Sequence, residues 1–278
     1  MTLHSVTLGG TRDEAPVIVV NGGPGASHDS VARLARLAAA GVHVVAYDQR
    51  GVGGSSSPSD DARYALADQV TDLDAVRASL GAQRVALVGH SFGGLIAMAY
   101  AAAHPDRVTA LVLVAPMAPD WKDAQAAGAL LEARVKALGA AGKLAEPPSS
   151  GSDGDDCRRA SNAVLPALFF DPDYPRTHDT PESRATQCSA RVQSATFAAL
   201  EGYDVRPGLA AFRAPTLIVV GAGDPFGDGP SRAAAAALAG ATPDVARVPG
   251  AGHFPWIEAA TAFDDAVVPF LRTHARGG

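Results

Sequence analysis

Three residues of this chain have the types and surroundings that nucleophilic acyl chemistry requires: Ser91, Asp224 and His253. Ser91 is the centre of GHSFG (89–93), a G-x-S-x-G pentapeptide that follows the apolar run RVALV and precedes a stretch of helical period. In a strand-to-helix context this pattern marks a sharp turn that holds a serine hydroxyl above a sheet edge. The glycines leave room for neighbouring backbone, and the start of a helix favours developing negative charge. A serine hydroxyl is a weak nucleophile at neutral pH and needs an adjacent base. Asp224 in GAGDPFG and His253 in GAGHFPWIE follow in the order nucleophile, acid, histidine, each just after an apolar run. His253 is therefore the expected general base and Asp224 the acid that orients it, with Asp228 as a nearby rival.

Acyl transfer also needs donors for a tetrahedral oxyanion, usually two backbone N–H groups. Phe92, directly after the serine, is expected to supply one, and the turn NGGPG (21–25) the other, from Gly23 in preference to Gly22. His90 is expected to support the serine turn, His43 to lie on a strand and His104 at a helix end, while His28 and His178 are candidates to line a pocket. Trp121, Phe169 and Phe254 are expected as apolar walls, with Gly22 and Pro24 bordering the substrate. Neither an H-E-x-x-H motif nor a cluster of spaced ligands is present, so no metal and no cofactor are expected.

The elements that must position these residues are legible as β-branched runs at 17–20, 42–47, 84–89, 110–116, 216–221 and 245–250, alternating with stretches of helical period. That alternation predicts a mostly parallel sheet with helices on both faces. Val31, Leu34 and Leu37 share one helical face, as do Leu66, Val70, Leu73 and Leu80. Gly93, Gly94, Ala97 and Ala101 would let the helix after Ser91 sit close to the sheet. The alternation breaks after Pro116 and resumes at Pro215. Within the break, 120–140 and 182–201 read as helices, Pro172 to Pro175 as a turn, and 146–157 as an acidic Pro/Ser/Gly loop. The expected organisation is a core of residues 1–117 and 207–278, with 118–206 inserted as a helical lid.

With 278 residues, nearly half of them hydrophobic, the chain can bury one large core. Its 23 basic and 29 acidic residues include no basic run that could track a phosphate backbone, so nucleic acid is not an expected partner. No leader pattern opens the chain and no stretch approaches the roughly 20 apolar residues of a membrane span, so no membrane association and a cytoplasmic location are expected. Cys157 and Cys188 are expected as two free thiols, with a single bridge as the alternative.

Taken together, GGPG, DQRGVGGSS (48–56), GHSFGG, GAGDP and GHFPW resemble the α/β-hydrolase superfamily, and specifically its proline iminopeptidase-like branch. The resemblance spans residues 21–256 and implies an α/β-hydrolase fold with a helical lid between two sheet strands. It also implies removal of an N-terminal residue from short peptides, with lid acids holding the free amine; Glu201, Asp204 and the acids near 171–182 are the candidates. Two features depart from that branch. Asn21 stands where histidine usually precedes the glycines, and LEGYDVRP (200–207) replaces the usual amine-recognition segment. Asp48 and Arg50 are expected to form a structural turn and ion pair beneath the site.

Three readings follow. The first is a cofactor-free serine hydrolase acting on an amide or ester of a small molecule or short peptide. The second keeps the machinery but releases, lactonises, cyclises or unmasks a biosynthetic intermediate. The third is a binding protein that no longer catalyses.

Overall fold

The computed structural model describes residues 1–145, 154–180 and 186–276. Seven strands, β1 (Ser5–Gly9), β2 (Ala15–Val20), β3 (Val42–Tyr47), β4 (Val85–His90), β5 (Val108–Val114), β6 (Thr216–Gly221) and β7 (Asp244–Val248), form one sheet in the order β1-β3-β2-β4-β5-β6-β7. All neighbours are parallel except β1, which runs antiparallel to β3 along one edge. The reading of the sequence missed β1, because SVTLG is short and half-exposed and its apolar signal is weak.

The longer helices are α1 (Leu66–Ser79), α2 (Phe92–Ala103), α3 (Trp121–Ala140), α4 (Asp155–Val164), α5 (Ala190–Ala199), α6 (Gly229–Ala237) and α7 (Ala260–His274). Successive strand residues point to opposite faces, and here both faces are covered. Val17 and Val19 join a core with Leu34 and Leu37 of the helical turns His28–Ala40 and with Phe263, Val267 and Leu271 of α7. Ile18 and Val20 join the opposite core, with Leu73 of α1, Leu95 and Met98 of α2 and Ala234 of α6. Burial of each such Val, Leu or Ile side chain contributes about 1.5–3 kcal/mol. On α1 the expected apolar face is only partly realised: Leu73 is buried, but so are Gln69 and Asp72, because Asp72 receives Arg50.

The sheet changes direction of growth between β2 and β4: from β2 the chain passes outward to β3, then crosses back to lay β4 on the other side of β2. Open α/β sheets form their ligand crevice at the carboxyl ends of strands at such a switch point.

Between β5 and β6 the insert differs from expectation in three places. Helix α3 starts where predicted, with the Asp120 side chain accepting from Asp123 N at 3.2 Å as an N-cap. Of the predicted loop 146–157, residues 146–153 lie outside the described residues, and Asp155 to Cys157 already belong to α4. Of the predicted helix 182–201, residues 182–185 lie outside the described residues, 186–189 are not helical, with Cys188 in a β-bridge to Ala26, and α5 runs from Ala190, where the Ser189 hydroxyl accepts from Val192 N. The turn at 172–175 continues into a single helical turn, Tyr174–Thr177.

Cys157 and Cys188 are joined by a disulfide, with Cα atoms 5.7 Å apart, which corrects the expectation of two free thiols. The physical reason is tertiary: α4 brings Cys157 against the extended segment at 188, a proximity that 31 residues of separation conceal. Among the described residues, no helix is long and apolar enough to cross a membrane.

Candidate active site

At the switch point the carboxyl ends of β2 and β4 lie side by side. Ser91 links β4 to α2 with φ 53° and ψ −120°, a conformation that side-chain-bearing residues avoid and that costs about 1–3 kcal/mol. The surrounding hydrogen bonds hold it there. Ser91 N donates to Val114 O at 3.0 Å, and Ser91 O accepts from Gly94 N and Met117 N, both at 2.9 Å. Both flanking glycines are sterically required. A β-carbon on Gly89 would lie 2.5 Å from Gly93 O, and one on Gly93 would overlap the carbonyl oxygens of Val20 and Asn21. Phe92 N–H belongs to the first turn of α2, where N–H groups have no partner within the helix.

The register Val20↔Gly89 brings the loop after β2 against this turn. A β-carbon on Gly22 would sit 3.1 Å from Ser91 Cβ, and Gly23 adopts φ 129°, open only to glycine. The Gly23–Pro24 peptide is cis. Asn21, buried in the place where the resemblance led us to expect histidine, ties the loop together. Its Nδ2 donates to Gly22 O at 3.0 Å and Ala26 O at 2.6 Å, while Asn21 O accepts from Gln49 Nε2 at 2.7 Å.

From the other side, β6 and β7 deliver Asp224 and His253. His253 Nδ1 donates to the Asp224 carboxylate at 3.1 Å (Oδ2) and 3.3 Å (Oδ1), with both side chains buried. Bonding through Nδ1 sets the tautomer that leaves Nε2 as a lone-pair base. The rival Asp228 pairs with Arg247 at 2.6 Å. His90 supports this arrangement: its Nε2 donates to His253 O at 3.1 Å, and its ring lies 4.8 Å from that of His253 and edge-on to Trp256 at 4.6 Å. Burial, followed by the neighbouring His253, holds the His90 pKa well below the ordinary histidine value, so it stays neutral.

A family model described as the alpha/beta hydrolase fold matches residues 15–260. The chain belongs to this family. A proline iminopeptidase from Lactobacillus delbrueckii subsp. bulgaricus is 34% identical over 175 residues, 60% of this chain and 59% of that protein, so the match spans less than two thirds of the relative's length. Among crystal structures, the proline iminopeptidase of Mycobacterium smegmatis superposes with a TM-score of 0.71 at 24% identity, covering 98% of this chain and 94% of the other. The enol-lactonase of Burkholderia xenovorans LB400 superposes with a TM-score of 0.72 at 24% identity, covering 97% and 96%. At such identities the two structures show the fold.

Within this α/β-hydrolase chain, the DQRG segment works differently from the expected Asp48–Arg50 pair. Asp48 instead accepts from His28 Nδ1 at 2.7 Å, His28 N at 2.9 Å and Gly54 N at 2.9 Å. Arg50 pairs with Asp72 at 2.7 Å and Asp68 at 3.1 Å. The two side chains thus brace different parts of the fold. His4, His28 and Asp48 place one ligand-type atom each within 4.8 Å of one another. Both Asp48 oxygens already accept N–H bonds, so this cluster is a brace and not a prepared metal cage. His28 is therefore occupied by Asp48, while His178 stacks on Tyr174 at 3.9 Å. His43 lies on β3 against Thr7, and His104 ends α2, as expected.

Phe254 borders His253 at 5.6 Å between ring centroids, and Phe226, which the reading of the sequence did not single out, lies closer at 4.8 Å. Phe169 is buried between Phe254 and Tyr174, Trp121 is partly buried beside Tyr203, and Glu201 is exposed in the turn after α5. The insert reaches the β2 loop directly: Ser189 N donates to Gly25 O at 2.9 Å, Ser27 N donates to Gln187 O at 3.0 Å, and Ala26 bridges Cys188.

Proposed function

We propose that this chain is a cofactor-independent serine hydrolase that cleaves an amide or ester bond of a small substrate through an acyl-enzyme on Ser91. The observations that carry the proposal are the strained φ of Ser91 where β4 meets α2 and the buried His253–Asp224 pair, whose histidine packs against His90, the residue before Ser91. In this reading His253 Nε2 takes the Ser91 Oγ proton as the oxygen attacks the substrate carbonyl. The N–H groups of Phe92 and Gly23 receive the oxyanion. The imidazolium then protonates the leaving group, and water repeats the sequence to release the acid. Asp224 holds the ring and stabilises its charge.

Residues 118–206 act as the lid over a core of 1–117 and 207–278. Gly22, Pro24, Trp121 and Phe254 border the substrate, with Phe169 backing Phe254. Similarity to proline iminopeptidases supports an aminopeptidase specificity, with Glu201 as the candidate partner for a substrate amine. A second reading, hydrolysis of an ester or lactone without a free amine, is favoured by the pairing of two insert acids: Asp204 with Arg206, and Asp173 with Arg176 and Lys143. The rings of Phe226 and Phe254 around His253 point the same way.

Turnover of prolyl and alanyl naphthylamides beside short p-nitrophenyl esters separates the two readings. Naphthylamide cleavage supports the aminopeptidase, and ester cleavage alone supports the second reading. Ser91→Ala should abolish either activity; unaltered turnover in that variant overturns the acyl-enzyme.

A further inference from the structure

We propose that Glu258 is a positioning residue for His253, a carboxylate that fastens the histidine loop to the insert segment 168–171. The proposal rests on the role assigned above to Ser91 and His253. Glu258 Oε2 accepts from Gly252 N at 2.7 Å, and Oε1 accepts from Phe170 N at 2.7 Å. Gly252 immediately precedes His253, whose own N–H donates to Leu168 O at 2.8 Å. Two successive N–H groups of the histidine loop are therefore held, one by Glu258 and one by the insert backbone.

The approach is close enough to demand glycine. A β-carbon on Gly252 would lie 2.6 Å from both Leu168 O and Phe170 N, and one on Gly223, just before Asp224, would strike the Phe170 ring. Arg134 Nη2 also donates to Phe169 O at 2.7 Å, and just beyond the segment the Tyr174 hydroxyl donates to Ile257 O, next to Glu258, at 3.0 Å. Displacing 168–171 would thus displace the loop that presents His253 to Asp224.

A carboxylate suits this place because it offers two acceptors and no donor. Burial pushes the Glu258 pKa up, with the Asp171 charge adding to the rise, while the N–H groups of Gly252, Phe170 and Asp171 oppose it. Glutamine would turn an amide NH2 toward one of the two N–H groups, and alanine would leave both unbound.

The test compares Glu258→Gln and Glu258→Ala with the natural enzyme, after a thermal melt has shown each variant folded at the assay temperature. It measures kcat and KM on a p-nitrophenyl ester and the rate at which a fluorophosphonate inactivates Ser91. The expected result is a roughly 10- to 100-fold fall in kcat and in the inactivation rate together, with KM within about twofold and the Gln variant intermediate. If Ala does not fold, the Gln variant alone decides. Variants that stay within about twofold of the natural kcat, or that change only KM, overturn the proposal. If the natural enzyme itself is not labelled at Ser91, the acyl-enzyme reading fails. If it is labelled and the variants are labelled at the same rate, only the role of Glu258 fails.

Discussion

His253 Nδ1 lies 3.1 Å from Asp224 Oδ2, whereas Asp228, four residues further on, turns away to meet Arg247 at 2.6 Å. Two aspartates that compete in the sequence are thus separated by their partners. Asp224 is buried against the imidazole, and Asp228 is held in a surface ion pair.

Asp224→Asn is expected to lower kcat on the order of 10³–10⁴-fold, because an amide no longer fixes the productive tautomer. Asp228→Asn removes only an exposed pair, which contributes about 0–1 kcal/mol, and should leave kcat within about twofold. Steady-state kinetics on the same ester checks both variants, and the reverse ranking would reassign the acid.

The His28–Asp48 brace predicts a pH-dependent contribution to stability. Its hydrogen bond to Asp48 raises the His28 pKa above the ordinary 6.5, despite burial, so that part of the stability is full below 6.5 and is lost as pH rises through the raised value. Burial pushes Asp48 up, but the N–H bonds from His28 and Gly54 outweigh it and hold its pKa below 3.8. That part is present above 3.8 and is lost as pH falls through the lowered value. His28→Gln should therefore cost roughly 1–2 kcal/mol between about pH 4 and 6.5, and less near about pH 9, in denaturant titrations. An equal cost at both pH values would contradict the charged pair.

The Cys157–Cys188 bridge closes a separation of 31 residues, which in a chain-entropy account stabilises by about 3–4 kcal/mol. Cys157→Ser, or reduction, should lower the denaturation midpoint accordingly, and native protein without reductant should take up no thiol alkylator. Two alkylated cysteines in that sample would contradict the bridge. Bridges of this kind persist in oxidising compartments, which sets this feature against the expected cytoplasmic location.

The candidate nucleophile, acid and histidine are legible in the sequence because each carries a local signal: a strand run, then a polar residue shortly after a glycine at its carboxyl end. The parallel sheet is legible for the same reason, since a strand buried on both faces is a continuous apolar run. Long-range partners are not. Glu258 meets Phe170 across 88 residues and His28 meets Asp48 across 20, and no periodicity announces either. Asp48 and Arg50 sit two positions apart, yet they diverge to different partners because the turn points them into different parts of the fold. For Glu258 the available signal was its position in GHFPWIE, five residues after His253.

The central claim is that Ser91 forms a covalent acyl-enzyme with the help of His253, and fluorophosphonate labelling followed by peptide mass mapping tests it most directly. The account predicts one adduct, on the peptide containing Ser91, absent in Ser91→Ala and formed far more slowly in His253→Ala. An adduct on another residue, or none on the folded natural protein, would contradict it.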